Sequence, residues 1–146
     1  MADFSKIHER LYCGGQINDA NDIQLIVAAG ITHVINAQAE RTLSDDLLGG
    51  LGYLWCPTAD DGQHPNPVEW FRNAIEFALA AMSTQGRVLA QCGAGNNRGP
   101  SLAYAILRAQ GLNASAAMTL LKAGRPQVGV AYWEDAELAL KALGWI

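Results

Sequence analysis

Cys92 and Arg98 bracket a short loop, Cys92-Gly93-Ala94-Gly95-Asn96-Asn97-Arg98, with five residues between them. The apolar run Val88-Leu89-Ala90-Gln91 leads into it, and Gly99-Pro100-Ser101 opens an Ala/Leu-rich stretch behind it. A loop of this kind wraps backbone N–H groups around an anion, and a helix N-terminus at Pro100 adds the positive end of its dipole. Those groups, together with Arg98, favour the thiolate form of Cys92. A guanidinium fork grips two oxygens of a phosphate at once. Attack of the thiolate on phosphorus gives a phosphocysteine intermediate. Gly93, Gly95 and Gly99 carry no side chain to block that approach, and they permit positive φ.

The leaving oxygen needs a proton. Residues 58–67 form a polar loop, rich in turn formers, that carries Asp60, Asp61 and His64. Either carboxylic acid can act as general acid and later as base on water, and His64 is a further titratable candidate.

These groups have to be positioned by regular elements. Leu11 to Gly15, the β-branched run Ile31 to Asn36, Tyr53 to Cys56 and Arg87 to Gln91 read as strands. Between them lie helical segments. Asn18 to Asp22 caps one that carries Ile23, Ile26 and Val27 on one face, with Gly30 at its end. Ser44 caps a short one with Leu47 and Leu48. Val68, Phe71, Ile75, Leu79 and Met82 make a stripe at helical steps. Residues 100–110 read as a nearly all-apolar helix. Asn113 to Lys122 is the next, and Trp133, Ala136, Leu140 and Leu143 mark the last. Residues 1–10 read as mixed surface chain. Strands alternating with helices predict an α/β sandwich with a small, mostly parallel central sheet flanked by helices. With 146 residues and no linker or repeat, residues 1–146 read as a single domain.

Composition narrows the function classes. The net charge is −4 and no Lys/Arg block occurs, which argues against nucleic acid or a membrane as the main partner. Any bound phosphate is then held by local geometry and not by a broad positive field. The three cysteines, Cys13, Cys56 and Cys92, form neither a disulfide framework nor a metal-ligand pattern. No signal peptide is apparent, so a reducing, cytoplasmic compartment is expected, and no cofactor or metal is called for.

In its ordered elements the sequence resembles the cysteine-dependent protein tyrosine phosphatases, in their compact dual-specificity branch. The matching elements are Leu11-Tyr12-Cys13-Gly14, Gly30 to Asn36, the acid-bearing loop, Cys92-x5-Arg98 and Arg125-Pro126 before a final helix. The resemblance covers roughly residues 8–143. It implies a phosphotyrosine-protein-phosphatase-like fold and metal-free hydrolysis of phosphate monoesters. Phosphotyrosine is the implied substrate, with phosphoserine and phosphothreonine as further members of the class. It assigns Cys92 as nucleophile, Arg98 as phosphate ligand, and Gly93, Ala94, Gly95, Asn96 and Asn97 with Arg98 as the phosphate cradle. Phosphate or sulfate is expected to occupy that cradle. The family acid sits three residues past a proline; Asp60 fits, counted from Pro57, with Asp61 as the alternative.

Two positions depart from the family pattern. Gln91 stands where a loop-ordering His is usual. Gly99 stands where a Ser or Thr usually assists departure of the thiolate, a feature shared with the branch resembling the phosphatases of regenerating liver. Both motivate an alternative reading as a catalytically weak phosphate-binding module. Ser101 substitutes for the missing hydroxyl only if the helix start is unusual. The absence of Lys or Arg between Cys92 and Arg98 disfavours a phosphoinositide substrate. Cys13 and Cys56 are read as inert core thiols, and Trp70 as helix packing with a chance to brace the acid loop.

Overall fold

The computed structural model of the chain describes residues 2–59, 61 and 64–146. Five strands form one sheet: β1 (Phe4–His8), β2 (Leu11–Gly14), β3 (His33–Asn36), β4 (Gly52–Trp55) and β5 (Val88–Gln91), in the order β1-β2-β5-β3-β4. β2, β5, β3 and β4 run parallel, and β1 pairs antiparallel with β2 at the edge. The expected mostly parallel sheet is therefore present, with one strand more than the pattern predicts. Phe4–His8 is not irregular surface chain. Its burial is partial and only Ile7 is fully buried, so an edge strand covered on one face leaves a weak apolar signature.

β5 is the central strand. All four of its residues are buried, as expected of a parallel strand with helices on both faces. Alternation sends its side chains to two separate cores. Val88 joins the larger core, built with α3 (Pro67–Ser83), α4 (Arg98–Ala109), α5 (Ala114–Gly124) and α6 (Trp133–Ala142). Leu89 joins the smaller one, with Ile23 and Ile26 of α1 (Ala20–Ala28) and Leu48 of α2 (Asp45–Leu48). Val27, expected on the same buried face of α1, is 53% exposed.

Caps fix the helix starts. Asp19, Ser44, Asn66 and Asn113 each accept a hydrogen bond from a first-turn N–H of the helix that follows. α3 also has Pro67 at its first position, where a missing N–H costs nothing. α4 begins at Arg98, two residues before the expected Pro100, and no side chain caps it. Its far end is fixed to α6. Arg108 donates from Nε and Nη2 to the two carboxylate oxygens of Glu137 at 2.8 and 2.9 Å, and Tyr104 Oη donates to Glu137 Oε2 at 2.9 Å. The helix that starts at the loop is thus fixed in rotation and height.

Candidate active site

Every carbonyl from Gly93 to Asn96 is engaged on one side of the loop. The Gly93 carbonyl accepts from Gln16 N–H at 2.9 Å, and the Asn96 carbonyl from Gly129 N–H at 2.7 Å. Between them, Ala94 O accepts from Arg125 Nη2 at 3.0 Å and Gly95 O from Arg125 Nε at 2.7 Å. In a trans peptide the carbonyl of one residue and the N–H of the next point in opposite directions, and no cis peptide occurs among the described residues. Holding those four carbonyls outward therefore turns the N–H groups of Ala94, Gly95, Asn96 and Asn97 to the other side. That is a concave nest of donors, set at the uncapped start of α4. Asn97, at the N-cap position, uses its Oδ1 to accept from Ala131 N–H at 2.7 Å and not to cap the helix.

Cys92 lies at the end of β5, 2% exposed, with its N–H donating to Gly14 O at 3.2 Å. Arg98 sits at the first position of α4, and a Cβ placed on Gly93 would stand 3.3 Å from the Arg98 Nη2, so the guanidinium lies close to the start of the loop. The other two thiols are different in kind. Burial pushes Cys13 far up, aided by the neighbouring Cys92, and burial pushes Cys56 up to about 12. Both are inert core thiols, as the sequence suggests.

The acid-bearing loop is tied to this centre by its backbone. Arg98 Nη1 donates to Thr58 O at 3.1 Å, and Tyr132 Oη donates to Ala59 O. Trp70 Nε1 donates to Cys56 O at 2.7 Å, and the Trp70 ring lies against Tyr132 and stacks with His64 at 5.3 Å. Trp70 thus braces the loop. His64 is a clasp: Nδ1 accepts from Asn66 N–H at 2.9 Å, which leaves Nε2–H to donate to Pro57 O at 3.3 Å. Asp61 is exposed on the loop, and Asp60, the favoured acid, lies outside the described residues. Among the described residues no group of acidic, His and Cys side chains is arranged to hold a metal ion.

Residues 11–135 match the family model "Dual specificity phosphatase, catalytic domain". The chain belongs to this family. The dual-specificity phosphatase domain is 32% identical over 93 residues to mouse Dual specificity protein phosphatase 2; the match covers 64% of this chain and 28% of that protein. It thus spans less than a third of the curated relative. Among solved structures, DUSP15 matches with a TM-score of 0.77 at 26% identity, covering 98% of this chain and 88% of its own. Human DUSP28 has the same fold, with a TM-score of 0.80 at 20% identity, covering 97% and 95%.

Within this dual-specificity phosphatase domain the two departures have structural consequences. Gln91 is 0% exposed, and neither its Oε1 nor its Nε2 has a hydrogen-bond partner among the described residues. Its backbone is held in the sheet between β2 and β3, and its carbonyl accepts from Ala37 N–H at 2.8 Å. An unmade buried amide costs about 1–3 kcal/mol, and an apolar group of similar shape removes that cost. Gln91→Met is accordingly expected to stabilise the fold by about that amount, measured as a higher urea midpoint at unchanged m-value; a lower midpoint would show that the amide is satisfied in solution.

At Gly99 a Cβ would stand 2.8 Å from the Ala90 carbonyl oxygen, so α4 starts in close contact with β5 and has no room for a side chain there. Ser101, the next hydroxyl along α4, is fully buried and its Oγ accepts from Tyr132 N–H at 3.3 Å, on the side of the chain that braces the acid loop. The roles of Asp3, Gln16, Gly129 and Tyr132 carry no local sequence signal, because each acts on the loops across a long separation in the chain. Arg125 was marked by its Arg-Pro pair, but not by its task.

Proposed function

We propose that the chain hydrolyses phosphate monoesters through a phosphocysteine intermediate, without a metal ion, with phosphotyrosine as its main substrate and phosphoserine or phosphothreonine as further ones. The observation that carries this reading is the row of outward-held carbonyls, which by trans-peptide geometry turns four consecutive N–H groups to the other face of the loop that joins Cys92 to Arg98. In the first step the Cys92 thiolate forms an S–P bond while the P–O bond to the leaving group breaks, and Asp60 gives that oxygen its proton. In the second step Asp60, now a carboxylate, takes a proton from water. The water oxygen bonds to phosphorus, the S–P bond breaks and inorganic phosphate leaves. Arg98 and the loop N–H groups hold the equatorial oxygens throughout.

A protein substrate is supported by a cleft of about 310 Å3 along the acid-bearing loop, lined by Ala39, Pro57, Thr58, Ala59, Asp61 and His64, on the side where Thr58 O meets Arg98. A free nucleophilic thiol suits a reducing compartment such as the cytoplasm; no described helix is long and apolar enough to cross a membrane. Gly99 leaves the thiolate without a hydroxyl at the helix start, so breakdown of the intermediate is expected to be the slow step. The reading as a binding module without turnover rests on Gln91 and Gly99 alone and is not favoured by the family match.

The acid assignment is tested by leaving groups. Asp60→Asn is expected to cost about 10²–10⁴ in kcat/KM for phenyl phosphate and far less for an aryl phosphate with an acidic phenol. A general acid must be protonated to act, so the parent loses activity as pH rises through the pKa of that group. Asp60→Asn should lose this limb of the profile. If Asp61→Asn carries both effects and Asp60→Asn neither, the assignment passes to Asp61.

A further inference from the structure

Arg125 stands just past α5, thirty residues beyond Gly95, and is 2% exposed. A buried guanidinium is costly unless each of its five N–H groups finds an acceptor. Here all five do. Nε and Nη2 reach Gly95 O and Ala94 O at 2.7 and 3.0 Å. The second Nη2 hydrogen reaches Asp3 Oδ2 at 2.7 Å, and Nη1 reaches Asp3 Oδ1 at 2.9 Å and Ser5 Oγ at 3.1 Å. One planar group therefore joins two carbonyls of the phosphate loop to a carboxylate at the start of the chain.

The attachment is tight on both sides. Asp3 O accepts from Gly15 N–H at 2.9 Å, beside the Gln16 N–H that holds Gly93 O. A Cβ at Gly15 would stand 2.8 Å from Asp3 Oδ2 and 3.2 Å from Gly93 O. Arg125 is thus the donor for two of the four outward carbonyls, and Asp3, although 58% exposed, is the only carboxylate that faces its charge among the described hydrogen bonds.

We propose that Arg125 is a positioning residue that sets the phosphate cradle, and that Asp3 holds Arg125 to that task, so that the segment preceding β1 is part of the functional centre. The proposal deepens the phosphatase reading above and rests on it for its link to turnover. Without the Asp3 charge the guanidinium has reason to swing toward water through the gap that the exposed carboxylate leaves. The peptide units after Ala94 and Gly95 then lose their outer donors, and their N–H groups are no longer fixed toward the anion. Only the fraction of molecules with a formed cradle binds, so apparent oxyanion affinity falls by that fraction.

The probe is tungstate, an oxyanion of phosphate shape, titrated by calorimetry into the full chain, alongside aryl phosphate kinetics and thermal unfolding. Asp3→Asn is expected to weaken tungstate about tenfold and to lower kcat/KM by a matching factor, with partial rescue by Asp3→Glu. Arg125→Lys keeps the charge but has one point donor where two carbonyls need a fork; it should bind tungstate more weakly than Asp3→Asn. In 15N–1H spectra of Asp3→Asn, the Gly95 and Asn96 amides should respond less to tungstate than in the parent. Should Arg125→Lys fail to fold, Asp3→Asn at its exposed carboxylate decides alone. Parent-like tungstate affinity in Asp3→Asn, with only a lower melting temperature, would overturn the proposal and leave a purely structural ion pair. A parent that binds tungstate but does not turn over aryl phosphate would remove the phosphatase reading, while the tungstate ratio would still test the role of Arg125.

Discussion

Cys92→Ser is expected to reduce turnover of an aryl phosphate by at least about a thousandfold, as loss of a nucleophile does elsewhere, while leaving tungstate affinity nearly as it is in the parent. The two halves of that result come from different parts of the site. A serine hydroxyl is un-ionised at neutral pH, so the S–P bond has no equivalent and the reaction has no first step. The cradle, however, is built from backbone N–H groups whose carbonyls are held by Gln16, Gly129 and Arg125, none of which touches the sulfur in these contacts. Sulfur and oxygen differ little in size, and residue 92 is buried against the larger core, so the fold should persist. Rapid mixing of the parent adds a second readout. A burst of phenol followed by slower steady turnover is expected, because Gly99 lacks the hydroxyl usual at the helix start. Equal turnover in parent and Cys92→Ser would end the phosphocysteine mechanism. Loss of tungstate binding along with turnover would mean that the thiolate charge, and not the backbone nest, organises the loop.

Gly95→Ala should be the most damaging single methyl in the loop. Gly95 has φ of +74°, in the left-handed region where a side chain costs about 1–2 kcal/mol. Its Cβ would also meet Gly14 C at 2.5 Å, Gly14 O at 2.6 Å and Arg125 Nη2 at 2.6 Å. Two of those atoms are backbone at the end of β2 and cannot give way by a rotamer change. A destabilisation of about 2–4 kcal/mol is expected from strain and overlap together. A loop displaced by a fraction of an ångström to relieve the overlap would lose about a hundredfold in kcat/KM. Gly93→Ala is the internal control. Its Cβ would meet only Arg98 Nη2, at 3.3 Å, and Gly93 has no positive φ, so its effect on unfolding should be much smaller. Denaturant midpoints of the two variants measured side by side decide the matter; similar losses at both positions would contradict the close packing of Gly95 on β2.

The two expectations also separate what each level of description contributes. The proposed nucleophile, the proposed phosphate-binding arginine and the proposed cradle residues are contiguous from Cys92 to Arg98, and an anion loop of that kind is a local object. Its chemistry can be read from residue types and spacing because the chain itself brings the groups together. The same holds for most of the sheet. β2, β3 and β5 announce themselves as apolar or β-branched runs because strands inside the sheet bury nearly every side chain, and β4, at the other edge and only partly buried, is legible from Tyr53, Leu54 and Trp55 ahead of Pro57. β1 does not, since an edge strand with one covered face leaves polar residues such as Ser5 and Lys6 in it.

What no local pattern reveals is the set of contacts that gives the loop its shape. Asp3 meets Arg125 across 122 residues, Arg125 meets Gly95 across 30, Ser101 meets Tyr132 across 31, and Tyr132 meets Ala59 across 73. Apart from Arg125, marked by its Arg-Pro pair, each of those side chains is unremarkable in its own stretch of sequence. Their roles follow from strand order and helix packing, which set β2 next to β5 and the 125–132 segment over the start of α4. Gly99 belongs to the same class: the sequence marks it as a missing hydroxyl, and the packing of α4 on β5 marks it as a position without room for one. The sequence by itself determined which loop groups are proposed for the chemistry, because Cys92 to Arg98 are neighbours in the chain. Only the tertiary structure decided how those groups are aimed, because a peptide plane turns to whichever donor lies behind its carbonyl, and here those donors are Gln16, Arg125 and Gly129, all far from the loop in the chain.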